Sequence, residues 1–240
     1  MAFTYNKCAY AVMMASPADL EDFAVGFSLA EGVVATPSQI RDIEIVTAST
    51  GTELRIWIDG PRSEAFAARR RYLAGPSGCG LCGLESLAEA LRPPRPVTSA
   101  FSARAEDLAN AMASLPRLQR WNLEARALHA AAFWQPDEGV AIVREDVGRH
   151  NALDKLRGSL ARHLRPAQNG AVLLTSRVSV EMVLKAAGLG VPIVVAVSAP
   201  TSLALSVAEE AGITLIGVAR DDGFEIFTHP GRIVFEAILN

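Results

Sequence analysis

Ala171-Val172-Leu173-Leu174-Thr175-Ser176-Arg177-Val178-Ser179-Val180-Glu181-Met182-Val183 is the stretch whose reading decides the fold. Four consecutive apolar residues run into two hydroxyls and an arginine, after which a helical pattern opens at Ser179 and continues to Ala187. An apolar run without alternation marks a strand buried on both faces, as in a sheet covered by helices. The alternation of element types extends to either side. Upstream, Val140–Val143 predicts a strand and Asn151–Leu164 a helix. Downstream come a strand at Ile193–Val197, a helix at Ser202–Ala211 and a strand at Ile213–Val218. Phe224–Phe227 and Ile233–Ile238 then add an edge hairpin or a last helix. This order predicts an α/β unit built on a largely parallel sheet.

The first part of the chain has a different grain. Cys8–Ala15 reads as a short strand. Ser16-Pro17-Ala18-Asp19 reads as a helix start, with Ser16 as N-cap, Pro17 at the first helical position and Asp19 in the first turn. Leu20, Phe23, Ala24, Phe27 and Ala30 follow at helical spacing, and Gly32 is placed to end the helix. The charged residues Glu21, Asp22 and Glu31 read as a solvated face. Ile40–Ala48 and Leu54–Ile58, around Ser49-Thr50-Gly51-Thr52, predict an antiparallel hairpin. A helix over Ser63–Leu73 carries Arg69-Arg70-Arg71, and a second over Leu84–Leu91 follows the glycine-rich loop Gly75-Pro76-Ser77-Gly78-Cys79-Gly80-Leu81-Cys82-Gly83. Arg92-Pro93-Pro94-Arg95-Pro96 blocks both helix and central strand and is the expected boundary. The organisation is therefore a smaller α+β domain over 1–95 and an α/β domain over 96–240, α+β overall. Two helical segments, about Ala103–Leu115 and Arg117–Phe133, open the second domain.

Composition narrows the function classes. The chain has 240 residues, half of them hydrophobic and a fifth charged, which is enough for a substantial core. A formal net charge of -3 gives no global attraction to nucleic acid or to an anionic membrane. Three cysteines are not a disulfide framework. The N-terminus lacks the basic start and apolar core of a secretory leader, and no apolar run approaches the roughly 20 residues needed to span a bilayer. The expectation is a cytoplasmic protein.

In open α/β sheets ligands sit beyond the carboxyl ends of the strands. Three polar clusters fall at such ends: Arg144-Glu145-Asp146-Val147-Gly148-Arg149-His150-Asn151, Thr175-Ser176-Arg177, and Ser198-Ala199-Pro200-Thr201. The turn Ala219-Arg220-Asp221-Asp222-Gly223 is a fourth. Hydroxyls and arginines delivered to helix N-termini suit an anionic, phosphate-bearing ligand, although the same residues also cap helices. Arg144, Arg149, Ser176, Arg177, Ser198 and Thr201 are the candidates. No phosphate-binding loop of the nucleoside-triphosphatase kind and no dinucleotide fingerprint is present.

The paired cysteines admit several chemistries. A structural zinc site needs four ligands, and only Cys8 and four histidines remain to complete one. A zinc deaminase needs a glutamate two residues after its histidine, whereas His129-Ala130-Ala131 carries alanine there, and the cysteines precede the histidine. A thiol–disulfide oxidoreductase fits the spacing, but the loop does not open from the strand of an N-terminal βαβ unit. A sulfur carrier also fits. A thiol at a helix N-terminus is biased toward thiolate, and a glycine-rich loop brings it close to another molecule.

Beyond these local readings, the chain resembles the formate dehydrogenase accessory sulfurtransferase family, FdhD. The resemblance is carried by Ser16-Pro17-Ala18-Asp19-Leu20-Glu21-Asp22-Phe23-Ala24-Val25-Gly26-Phe27 with Glu31-Gly32, by Gly78–Gly83 with Glu85-Ser86-Leu87, and by Glu145-Asp146-Val147-Gly148-Arg149-His150-Asn151-Ala152-Leu153-Asp154-Lys155. It continues through Thr175–Val183 and Ser198–Ala204. It implies a cytidine-deaminase-like larger domain with a mixed sheet covered by helices, and a homodimer. It also implies a protein that takes sulfur from a cysteine desulfurase and passes it to the molybdenum or tungsten bis-guanine-dinucleotide cofactor of apo formate dehydrogenase. Cys79 matches the persulfide-bearing cysteine and Cys82 its companion, with no resident metal. The turn Val218, Ala219, Arg220, Asp221, Asp222 and Gly223 matches the family's segment for the guanine nucleotide. Two departures stand out. Ala125-Arg126-Ala127-Leu128 leads to His129 where the family tends to Thr-Gly-Gly, and Val218 stands where an aromatic is common.

Overall fold

The structure is a computed structural model that describes residues 1–59, 93–220 and 223–235. The helices expected over 63–73 and 84–91, the Arg69-Arg70-Arg71 run, the Cys79–Cys82 loop, and Asp221 and Asp222 lie outside those residues, as does 236–240.

Six strands form the larger sheet: β6 (His129–Gln135), β7 (Gly139–Asp146), β8 (Ala171–Leu174), β9 (Ile193–Ala196), β10 (Thr214–Arg220) and β11 (Gly223–Ile226), in the spatial order β11-β10-β9-β8-β6-β7. All residues of β8 and β9 are buried, as continuous apolar runs require. The sheet is mixed rather than largely parallel. β8, β9 and β10 pair in parallel, whereas β6 is antiparallel to both β7 and β8, and β11 is antiparallel to β10. The carboxyl ends of β7, β8, β9 and β10 therefore share one edge with the amino end of β6.

Helices α4 (Arg149–Arg162), α5 (Val180–Leu189) and α6 (Ser202–Ala211) cover one face. Leu153, Leu156, Val183, Ala186 and Ala208 pack there on Val172, Leu174, Val194 and Ala196. The other face is covered by α2 (Ala105–Leu118), whose Leu108, Ala111, Met112 and Leu115 recur at helical spacing and meet Leu173, Val195 and Ile216. The short helix α3 (Arg120–Ala125) brings the chain back to the carboxyl edge and ends on Arg126, a non-glycine residue at φ 52°. The helix expected to reach Phe133 stops at Ala125. His129–Gln135 is instead a strand, with Ala130–Trp134 all buried. Its three alanines favour helix as isolated residues, but hydrogen bonding between β7 and β8 outweighs that preference.

A second, four-stranded sheet has the order β2-β1-β4-β3, from β1 (Ala2–Tyr5), β2 (Cys8–Val12), β3 (Ile40–Ala48) and β4 (Gly51–Ile58). Its inner face packs Phe3, Tyr5, Leu54 and Ile56 on Phe23 and Phe27 of α1 (Leu20–Ala30). The hairpin expected at 40–58 forms, β3 pairing with β4 through Ala48 opposite Gly51. A further small sheet joins β5 (Ala103–Arg104) in parallel to β12 (Ile233–Val234), with Ala103 and Ile233 in the same core as α2 and the main sheet.

α1 also crosses α4 at backbone contact. A Cβ placed on Gly26 would lie 1.7 Å from the Asp154 carbonyl oxygen, and one on Gly158 would lie 1.8 Å from that of Asp22. Only glycine in each helix allows this approach.

Candidate functional site

The common carboxyl edge gathers the polar clusters. Each follows its strand because the chain must leave the sheet there and start a helix. The loops after β8 and β9 are zipped to one another. Val197 N–H donates to the Leu174 carbonyl at 3.1 Å, Thr201 N–H donates to that of Val178 at 3.1 Å, and Val178 and Pro200 form a parallel bridge. Thr175 N–H donates to the Ala130 carbonyl, and its Oγ1 accepts from Ala130 N–H at 2.7 Å, tying this ledge to β6.

Within that edge the expected residues divide by what they do. Arg149 opens α4, and Arg177 is exposed, its guanidinium making no ion pair or hydrogen bond among the described residues. Arg220 ends β10 exposed, and Ser198 is partly buried in the loop after β9. Ser176 is buried, with its hydroxyl donating to the Arg177 carbonyl at 3.1 Å. Thr201 Oγ1 accepts from Ala204 N–H at 3.2 Å and so caps α6. Val218 sits at φ 53°, in an irregularity of the β10–β11 pairing, with Ala219 buried beside it and Gly223 restarting the ladder.

Arg144 does not belong to this edge. Its guanidinium donates to Asp22 of α1 at 2.7 Å and to Ser159 at 2.9 Å, so an arginine read as ligand-facing is bound to α1 instead. Asp22 is 3% exposed, not part of a solvated face, and is also held by Arg162 at 2.6 Å. Ser16 is likewise redirected. α1 begins at Leu20, with Asp19 as N-cap at φ 53°. The Ser16 hydroxyl accepts from Val147 N–H at 3.1 Å, while Ser16 N–H donates to Asp146 Oδ2 at 2.9 Å.

That contact is one arm of a buried network that sequence reading missed. Lys155 Nζ lies 2.6 Å from Asp146 Oδ2, both side chains wholly buried. The ammonium also donates to the carbonyls of Ser16 at 3.0 Å and Glu145 at 3.1 Å, and it stands 5.5 Å from the Phe23 ring centre. Asp146 Oδ1 accepts from Gly148 N–H and Asn151 Nδ2, each at 2.9 Å. On the other face of β7, Glu145 accepts from the N–H groups of Trp121 and Asn122 at 3.0 and 2.7 Å, which fixes α3 against the edge. Three of the residues read as one anion-binding cluster therefore brace it.

A second missed group lies between the first turns of α4 and α5. His150 Nε2 is 3.2 Å from Glu181 Oε2 and 3.5 Å from the Ser179 hydroxyl, which faces the imidazole rather than capping its own helix. Lys185 continues the row, 3.7 Å from Glu181 and 2.6 Å from Asp154. Burial pushes the His150 pKa down to about 3, assisted by Lys185, Arg149 and His129. Burial and the Arg149 charge also lower that of His129. Burial raises Glu181, and it lifts Asp154 to about 6 against the pull of Lys185. Burial works against the Lys185 charge, but Asp154, Glu181 and Glu31 outweigh it and raise its pKa. The edge thus offers arginine cations beside neutral imidazoles, a combination suited to a ligand with both anionic and hydrogen-bonding parts.

Comparison with known proteins finds matches over nearly the whole chain. The model of the FdhD/NarQ family matches residues 1–234. A protein of Agrobacterium fabrum named sulfur carrier protein FdhD is 50% identical, over 98% of this chain and 87% of its own. One of the same name from Cupriavidus necator is 49% identical, over 100% of this chain and 83% of its own. A crystal structure from Desulfotalea psychrophila, described as a formate dehydrogenase accessory protein, superposes with a TM-score of 0.75 at 26% identity, covering 97% of this chain and 87% of that one. Among the described residues no helix is long and apolar enough to cross a membrane.

Proposed function

This chain belongs to the FdhD/NarQ family, and we propose that it is a sulfur carrier that serves formate dehydrogenase. In this reading Cys79 is the carrier thiol and Cys82 its companion. The Cys79 thiolate attacks the outer sulfur of a cysteine desulfurase persulfide. A new S–S bond forms on Cys79, the donor S–S bond breaks, and the donor cysteine leaves as thiolate. The sulfur then passes to a molybdenum bis-guanine-dinucleotide cofactor, which is cargo bound for the apoenzyme in the cytoplasm. The two-domain division near residue 95 and a homodimeric assembly belong to the same proposal.

The observation that supports it in the described residues is that Arg149, Arg177 and Arg220 each stand at the end of, or just after, a strand along the carboxyl edge of one sheet. Guanidinium groups suit diphosphates, and a guanine dinucleotide carries one. The reading assigns Val218, Ala219, Arg220, Asp221, Asp222 and Gly223 to the guanine nucleotide, with Ser176, Ser198 and Thr201 shaping the ledge.

Intact-mass analysis after incubation with cysteine and a cysteine desulfurase tests it. The expected result is one added sulfur, lost with a reducing agent and absent in Cys79→Ser. No adduct under conditions that load a known carrier would overturn sulfur transfer. If formate dehydrogenase were still activated after replacement of both Cys79 and Cys82, the protein would be a binding chaperone instead. A stable Cys79–Cys82 disulfide with turnover of a disulfide substrate would make it an oxidoreductase.

A further inference from the structure

Among the groups at the carboxyl edge, His150 has a feature that the sulfur-carrier reading does not use. Its Nε2 is occupied, facing the Glu181 carboxylate at 3.2 Å and the Ser179 hydroxyl at 3.5 Å. Its Nδ1 has no hydrogen-bond partner among the described residues, yet it is not one of the sealed polar atoms. The side chain is 21% exposed, so the open nitrogen is in reach of a ligand while the ring is held.

The occupied side decides what the open side can do. A carboxylate only accepts, so the imidazole proton belongs on Nε2 toward Glu181 and the lone pair on Nδ1. An acceptor repels phosphate oxygens and the acceptor edge of a base, and it attracts N–H donors. Arginines stand at the same edge for the anionic part of a ligand: Arg149 is the next residue, and Arg177 precedes Ser179 by two positions. Cation and neutral acceptor thus sit at neighbouring points, as a nucleotide with a donor-edged base requires. Guanine presents N1–H and a 2-amino group, two adjacent donors, where adenine presents a bare N1 and a bare C2 and carries its one amino donor at C6, where guanine has a carbonyl.

We propose that His150 Nδ1 is a specificity-determining acceptor for the N–H edge of a guanine base bound at the carboxyl edge of the sheet, with Glu181 and Ser179 as positioning residues that fix its tautomer. The proposal rests on the guanine-nucleotide part of the reading above and assigns the base an address within it. Lone-pair recognition rejects a ligand that lacks the donor because both partners are then left unpaired.

Isothermal titration of the full chain with GDP and with ADP tests this. Wild type should bind GDP about tenfold or more tightly than ADP. His150→Phe, which keeps the ring but removes the acceptor, should lose that preference by weakening GDP alone. His150→Asn, which restores a short-reach amide oxygen, should regain part of it. A purely structural role predicts equal loss for both nucleotides in His150→Phe and no recovery in His150→Asn, and either result overturns the inference. GDP binding that is undiminished in His150→Phe overturns it as well and leaves the guanine-nucleotide reading standing. Failure of wild type to bind GDP overturns that reading itself, and the inference falls with it.

Discussion

Removing Lys155 should unsettle the whole joint between α1, β7 and α4. The Lys155 ammonium and the Asp146 carboxylate are 2.6 Å apart and wholly buried. In Lys155→Met, Asp146 keeps three donors, Ser16 N–H, Gly148 N–H and Asn151 Nδ2, each at 2.9 Å. Those donors hold part of the charge, which places the loss near the lower end of the range for breaking a buried pair, about 3 kcal/mol. In Asp146→Asn the ammonium keeps the carbonyls of Ser16 and Glu145 and the Phe23 ring but loses its counter-charge, and the loss should be about 4 kcal/mol. The double variant leaves no unpaired charge. It should lie close to the worse single variant, so that the coupling energy is about 3 kcal/mol. Urea unfolding followed by tryptophan fluorescence and by far-ultraviolet circular dichroism measures all three, and coincident transitions license the comparison. Single variants that each cost under about 1 kcal/mol, or a double variant additive to within about 0.5 kcal/mol, would refute the bracing role.

Two further outcomes follow from the same region. Gly26→Ala and Gly158→Ala should each destabilise by about 3 kcal/mol or more, because the new Cβ meets backbone atoms that cannot turn away; Gly139→Ala, at φ 68° with open space around it, should cost only about 1 kcal/mol in the same unfolding assay. The His150 pKa, lowered to about 3 from 6.5 by burial and neighbouring cations, means the unfolded chain binds the extra proton first as pH falls. Stability should therefore be unaffected above about pH 6.5 and decline below it, by about 2 kcal/mol at pH 5, and the difference between wild type and His150→Asn in urea midpoints across pH 5–7.5 isolates this share.

Much of the fold is legible because its causes are local. Ala171–Leu174 and Ser202–Ala211 are found at their exact limits, since an uninterrupted apolar run and a capped amphipathic helix need no distant partner to be recognised. Thr201 caps α6 as its residue type suggests. The failures share a cause as well. Ser16 is a good cap by type, but a carboxylate 130 positions away binds its N–H, and α1 starts a turn later. His129–Gln135 is alanine-rich, and only the strands on either side make it a strand.

The motif from Glu145 to Lys155 carries a more general lesson about reading polar clusters. Its density of charge suggests a binding site, yet its members divide by position. Asp146 sits on the strand face that α4 covers, and Asp154 and Lys155 sit among Leu153 and Leu156 on the covered side of that helix. A charge at a core position must be paired within the protein, and all three are: Asp146 with Lys155, and Asp154 with Lys185. Arg149 and His150 occupy the first helical turn, where the chain has just left the sheet and the carboxyl edge is open. Position along the helix therefore separates the two groups, not register: His150 shares its face with Leu153 and Asp154 but stands one turn earlier, at the open edge. It also explains why bracing and binding residues occur together. An edge that holds a charged ligand must keep its arginines and imidazole in place without a ligand, and a buried ion pair directly beneath the first turn of α4 does so where side chains at the surface would not.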